Sequence, residues 1–93
     1  MALIADETVL EVKRSVDIYE IVSGYVSLKR AGASYKGLCP FHDDHRESFS
    51  VNLQDNYWHC FACEIGGDII QFYMKWYGVE FRDAVTELAR RLL

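Results

Sequence analysis

Four residues have the types and spacing to hold a metal ion. The chain reads Cys39-Pro40-Phe41-His42, then seventeen residues, then Cys60-Phe61-Ala62-Cys63. Two C-x₂-C/H pairs at this separation are a strong zinc signal, because each pair closes a tight turn whose two ligands point at one ion. Three thiolates and one imidazole complete a tetrahedral shell with no position left for water. A closed shell of this kind is structural, since a catalytic zinc keeps a vacancy. The competing imidazoles are weaker choices. His59 precedes Cys60 in an extended segment, so alternation turns it to the opposite face, and His45 breaks the two-residue spacing. The expected cofactor is one structural Zn²⁺ on Cys39, His42, Cys60 and Cys63. Three cysteines cannot all pair off, so a metal site is a better reading than a disulfide framework.

Strands must present these knuckles, and the pattern supplies them. Tyr25-Val26-Ser27-Leu28-Lys29 alternates, and Ser34-Tyr35-Lys36-Gly37-Leu38 roughly does, around the turn-like Ala31-Gly32-Ala33. Phe49-Ser50-Val51-Asn52-Leu53 alternates cleanly, Gln54-Asp55-Asn56 is turn chemistry, and Tyr57-Trp58-His59-Cys60 reads as a fourth strand. Helices flank them. Asp6 is a candidate cap for a helix with Val9, Val12 and Val16 on one side. Asp17 and Glu20 have the form of a capping box opening a second short helix that Gly24 would end. Asp68 caps a third helix, striped by Ile69, Ile70, Phe72, Tyr73, Trp76 and Tyr77 and ended by Gly78. A fourth runs from about Arg82, with Phe81, Ala84, Val85, Leu88, Ala89 and Leu92 at helical spacing. It carries no stop signal, so the chain either ends on this helix or is a fragment of something longer.

The expected class is α+β: a small antiparallel zinc β-ribbon sheet flanked by short N-terminal helices and two C-terminal helices. The predicted organisation is one zinc-binding domain over 1–93, with a helical part at 6–24, the ribbon sheet at 25–63 and C-terminal helices at 66–93. A chain of 93 residues with 51% hydrophobic and 14% aromatic content is globular, and no linker, repeat or low-complexity run divides it. No segment approaches the roughly 20 apolar residues of a membrane span. Met1 to Glu7 lacks the basic start and apolar centre of a signal peptide, so the expected location is cytoplasmic, without membrane contact.

The net charge of −4 and pI near 5.2 disfavour a dedicated duplex binder. They leave room for a local basic face. Four of the ten Lys/Arg residues fall between Lys29 and Arg46, interleaved with aromatics. Single-strand binders combine a positive groove with aromatic platforms for bases. Lys29, Arg30, Tyr35, Lys36, Arg46 and Trp58 are therefore the candidate nucleic-acid contacts. Tyr57 and His59 face the side of their strand opposite Trp58, so not all three rings can be platforms. Phe41 and Phe61, inside the knuckles, are expected to pack around the zinc, and the aromatics of the third helix to be core.

The knuckles and their surroundings resemble the zinc-binding domain of bacterial and phage-type DNA primases, the group named for its Cys-His-Cys-Cys ligands. The matching segments are Val12–Ile18, Tyr25–Arg30, Tyr35–His42, Ser48-Phe49, Trp58–Cys63 and Gly66–Phe72. Leu38-Cys39-Pro40-Phe41-His42 and Gly66-Gly67-Asp68 are the specific ones. The resemblance implies a module that contacts single-stranded DNA template when an RNA primer is started, in DNA replication. It also implies two partners, a primase catalytic domain in cis or trans and the replicative helicase of a primosome. These residues contain neither an acidic cluster suited to two catalytic metals nor a phosphate loop, so no catalytic residue is expected here. Where the family commonly has a lysine and Thr-Pro, this chain has His45, Arg46 and Glu47; where the second knuckle usually has glycines, it has Ala62 and Glu64. The rival reading is a stand-alone zinc-ribbon protein that binds another protein, favoured by the acidic balance and by Asp43, Asp44 and Glu47.

Overall fold

The computed structural model describes residues 6–92. Two short helices, α1 (Asp6–Ser15) and α2 (Ile18–Val22), precede five strands: β1 (Lys29–Ala31), β2 (Ser34–Gly37), β3 (Phe49–Asn52), β4 (Tyr57–Cys60) and β5 (Ile65–Gly67). Helices α3 (Ile69–Tyr77) and α4 (Phe81–Leu92) follow. The strands form one antiparallel sheet in the order β1-β2-β3-β4-β5. The architecture is the α+β arrangement expected, an antiparallel ribbon sheet whose inner face shares one core with the N-terminal and C-terminal helices.

Alternation decides the two faces of the sheet. Phe49, Val51, Trp58 and Cys60 point inward and are at most 1% exposed. They meet Val12, Ile18, Val22, Ile69, Ile70, Phe72, Val85 and Leu88 from the helices in one hydrophobic cluster. At its centre the Phe49 and Trp58 rings stack at 5.5 Å, with Phe72 edge-on to Trp58 at 6.0 Å. The Trp58 Nε1–H donates to the Asp68 carbonyl at 2.8 Å, so the buried indole leaves no donor unpaired.

The segment expected as a strand from Tyr25 is mostly not one. The Tyr25 and Val26 amides donate to the Val22 carbonyl at the end of α2, which drives Val26 into the core and delays the first strand to Lys29. The expected stop at Gly24 is also corrected. Ser23 caps α2 in right-handed geometry, and the glycines with positive φ are Gly32 and Gly78. The start of that helix does follow the Asp17 cap, whose carboxylate accepts from the Glu20 amide at 3.3 Å.

Gly66-Gly67 was expected to open a helix but forms the core of a fifth strand. A Cβ at Gly66 would lie 2.6 Å from the Trp58 carbonyl and 2.7 Å from the Tyr57 hydroxyl, an approach only glycine allows. Helix α3 then starts at the Asp68 cap. The Asp68 carboxylate accepts from the Ile70 and Gln71 amides, and Gln71 accepts from the Asp68 amide, in a reciprocal capping box. Gly78, left-handed at φ 65°, ends it. The buried stripe of α3 is narrower than expected: Phe72 and Tyr73 are buried, while Trp76 and Tyr77 are 38% and 48% exposed. On α4, Ala84, Val85 and Leu88 are buried, and the Leu92 side chain and Leu93 lie outside the described residues. No helix among the described residues is long and apolar enough to cross a membrane.

Candidate metal centre

The sheet brings both knuckles to one end. Cys39 and His42 leave the end of β2; Cys60 closes β4, and Cys63 stands in the turn into β5. The sulfurs of Cys39, Cys60 and Cys63 and a ring nitrogen of His42 lie within 4.8 Å of one another. A tetrahedral ion with sulfur at about 2.3 Å sets its ligands nearly 4 Å apart, so this donor set fits one zinc. Each knuckle also turns an amide toward its first sulfur: Phe41 donates to Cys39 Sγ and Cys63 to Cys60 Sγ, both at 3.4 Å. These bonds favour the thiolate forms of both sulfurs.

The orientation of His42 follows from its neighbours. Its Nδ1 lies 2.8 Å from Cys63 Sγ and 3.8 Å from Cys60 Sγ, and its Nε2 lies 3.7 Å from Asp44 Oδ1. Nδ1 is thus the nitrogen turned to the metal position, with a carboxylate behind the ring, the outer-sphere arrangement common for zinc-bound histidines. Asp44 is buried and accepts four bonds, from the amides of Cys39, Arg46 and Ser48 and from the Ser48 hydroxyl, at 2.8–3.1 Å. Burial pushes its carboxyl up, but these donors outweigh that and hold it well below the usual carboxylate range. The sequence marked Asp44 only as one acid among several. The short polar spacing from His42 to Ser48 was the available signal.

The three sulfurs are not equivalent. Burial, with the neighbouring Cys60 and Cys63 sulfurs, pushes the Cys39 thiol up to about 12, although the Phe41 amide opposes this. Cys63 is also raised, chiefly by burial. Burial acts the same way on Cys60, but the Cys63 and Ala62 amides and the adjacent thiols bring it below the ordinary value. Zinc binding must therefore displace protons, that of Cys39 above all. His45 and His59 lie elsewhere. His45 is exposed and faces Asp43 at 3.4 Å, and His59 sits on the outer sheet face.

The candidate nucleic-acid residues divide between faces. On the outer face Lys29 pairs with Lys36, Lys36 with Ser50, Ser50 with His59 and His59 with Gly66. Beside this row run Ala31, Ser34, Asn52 and Tyr57. Arg30 and Tyr35 belong to the opposite face, at the margin beyond the helices, where the guanidinium lies 5.9 Å from the Tyr35 ring and Tyr35 packs on Tyr19 at 4.2 Å. Arg46 is exposed in the loop after the first knuckle. Trp58 is the correction: it is 1% exposed inside the core, and no base can reach its ring. Phe61 reverses the opposite way. Expected to pack around the zinc, it is 65% exposed and meets His59 edge-on at 4.6 Å. Tyr57 stacks on His59 at 6.5 Å. Alternation from the inward ligand Cys60 places His59 and Phe61 outward together, and that was the signal available for Phe61. Phe41 does pack inward, against Trp58 and Phe72 at 5.4 and 5.5 Å.

A five-stranded meander with two metal knuckles at one end defines a zinc ribbon. A profile of the CHC2 zinc finger family matches residues 4–93, nearly all of the chain, and the chain belongs to that family. It is 43% identical over 89 residues to a DNA primase of Thermotoga maritima and 44% identical over 88 residues to one of Halalkalibacterium halodurans. Those alignments cover 96% and 95% of this chain but 16% and 15% of the relatives, so the chain spans about one-sixth of their length. Among solved structures it superposes on the Aquifex aeolicus primase, described as zinc-binding and RNA polymerase domains, with a TM-score of 0.87 at 35% identity. That match covers 91% of this chain and 21% of the other.

Proposed function

We propose that residues 1–93 act as one structural-zinc module of a DNA primase, holding single-stranded DNA template on the outer sheet face during RNA primer initiation. The observation that carries this is the outer-face row of Lys36 and the Glu47-paired Lys29 beside the exposed rings of Tyr57 and Phe61, with half-buried His59 between them. Charge for phosphates and rings for bases are the two parts of a single-strand surface. Arg46 adds charge from the knuckle loop, and Arg30 with Tyr35 extends the surface around the edge at β1. The zinc performs no chemistry in this reading. It locks the ends of β2 and β4, so that the outer row keeps its spacing.

Polymerase chemistry then belongs to a primase catalytic domain in cis or trans, and the module works in the cytoplasm within a primosome that includes the replicative helicase. Of the acidic residues that favoured a stand-alone protein-binding ribbon, Asp44 is buried in four hydrogen bonds and Glu47 pairs with Lys29 at 2.8 Å, while Asp43 stays exposed beside His45. Two of the three acids behind the rival reading are therefore already partnered within the chain.

The test is a titration of zinc-loaded protein with short single strands at two salt concentrations. Affinity should fall with salt, and Lys36→Ala should reduce the slope of log K against log salt by roughly 0.7, the value for one phosphate contact on a single strand. Absence of binding at low salt would sink the proposal.

A further inference from the structure

The outer face is not flat. Ser34, Ser50, Asn52, Tyr57, His59 and Phe61 line a hollow of about 360 Å³, at the lower end of the roughly 300–1,000 Å³ of small-molecule sites. Its floor is the middle of β3, and Tyr57 and Phe61 stand at its two ends. No carboxylate, ammonium or guanidinium lines it, yet Lys36 is the register neighbour of Ser50 and Lys29 stands beside Lys36. Phe61, at 65% exposed, keeps a large apolar ring in water with only His59 against its edge. It is the most exposed large hydrophobic side chain among the described residues, and it stands beside exposed Tyr57 and half-buried His59 as one wall of the hollow.

We propose that this hollow takes one unpaired nucleobase, stacked on Phe61 with its edge toward the Ser34, Ser50 and Asn52 side chains, while Lys36 holds the attached phosphate. The lining selects the chemistry. A planar group with polar edges and no charge suits rings, hydroxyls and an amide, and an anion tethered to that group suits the adjacent Lys36. A nucleotide has that composition; a charged peptide side chain does not. The inference rests on the single-strand reading above and deepens it. It makes Phe61 a base contact and separates its role from that of the lysines.

The test compares oligo-dT with an abasic deoxyribose-phosphate strand of equal length, using the zinc-loaded chain. Removal of the bases should weaken binding to the wild type by at least the 5–150-fold expected when a single base loses its stacking platform. In Phe61→Ala this ratio should shrink by that same factor, with the salt slope unchanged, and Phe61→Trp should restore it. Lys36→Ala should do the reverse, lowering the slope and leaving the ratio intact. Phe61 is mostly exposed, so its substitution leaves the core untouched, and an unchanged circular dichroism spectrum verifies this. Competition by free dTMP against wild type, absent in Phe61→Ala, would assign the hollow to a free nucleotide rather than a template base, with the same chemistry. Equal ratios in wild type and Phe61→Ala, both binding, would overturn the hollow and leave the strand reading standing. If neither strand binds, the strand reading and this inference fall together.

Discussion

Asn56 holds the sheet to the N-terminal helices through a single side chain. It sits in the turn between β3 and β4, left-handed at φ 53°. Its Nδ2 donates to the carbonyls of Val16 at 2.9 Å and Lys13 at 3.2 Å, and its Oδ1 accepts from the Ile18 amide at 3.3 Å. The bend between α1 and α2 is thereby tied to the start of the strand that ends in Cys60. Asn56→Ala deletes three hydrogen bonds at about 1 kcal/mol net each. It also places a Cβ residue lacking asparagine's local bonding in a left-handed turn, at roughly 1 kcal/mol more. The expected loss is about 3–4 kcal/mol, a substantial share of the ~5–14 kcal/mol typical of a domain this size. Asn56→Gly removes the bonds but tolerates the turn, so it should cost about 1 kcal/mol less. Urea unfolding of the zinc-loaded variants, followed by tryptophan fluorescence, gives both numbers. At a slope of about 1–2 kcal/mol/M the midpoint should drop by roughly 1.5–4 M. Zinc content should not change, because the bonds lie at the end of β4 away from Cys60. An alanine variant within about 0.5 kcal/mol of wild type would refute the reasoning. Equal costs for alanine and glycine would refute its conformational part alone.

Zinc removal should melt the ribbon while helix persists, because structural sites at neutral pH contribute on the order of 10–16 kcal/mol to folding; full strand content by circular dichroism after complete chelation is the contrary result. Glu64 is left-handed at φ 57°, a backbone that favours glycine, so Glu64→Gly should raise stability by up to about 1 kcal/mol, read as a higher urea midpoint. The Cys39 thiol, raised to about 12, is protonated in metal-free protein at neutral pH. Zinc uptake should therefore release its proton and tighten as pH rises, measured by calorimetry in buffers of different ionisation enthalpy. Asp44 has a folded pKa below its unfolded value, so its contribution is present above about pH 4 and is lost as pH falls toward the folded value. The stability gap between wild type and Asp44→Asn should accordingly narrow below about pH 4, and a gap constant to lower pH would contradict the depressed value.

The metal donors, the capping of α3 and the identity of the middle strands were legible in the chain because each depends on neighbours a few residues apart. Two ligands in a turn need only a fixed spacing, Asp68 and Gln71 satisfy each other within one helical turn, and the β3 pattern shows its buried face by alternation alone. What sequence could not decide were choices that depend on distant partners. Tyr25 and Val26 have strand-like composition, but the Val22 carbonyl takes their amides. Gly66-Gly67 resembles a helix start until Trp58 and Tyr57 of the adjacent strand leave room only for a strand without side chains. The basic and aromatic residues formed a single cluster in sequence, and pairing register split them: Trp58 went into the core because Phe49 and Phe72 close over it, and Lys36 came beside His59 through Ser50. The sequence by itself determined the four zinc donors, since the geometry of a knuckle is local. Only the tertiary structure decided which rings face water, because that depends on what the other strands and helices cover.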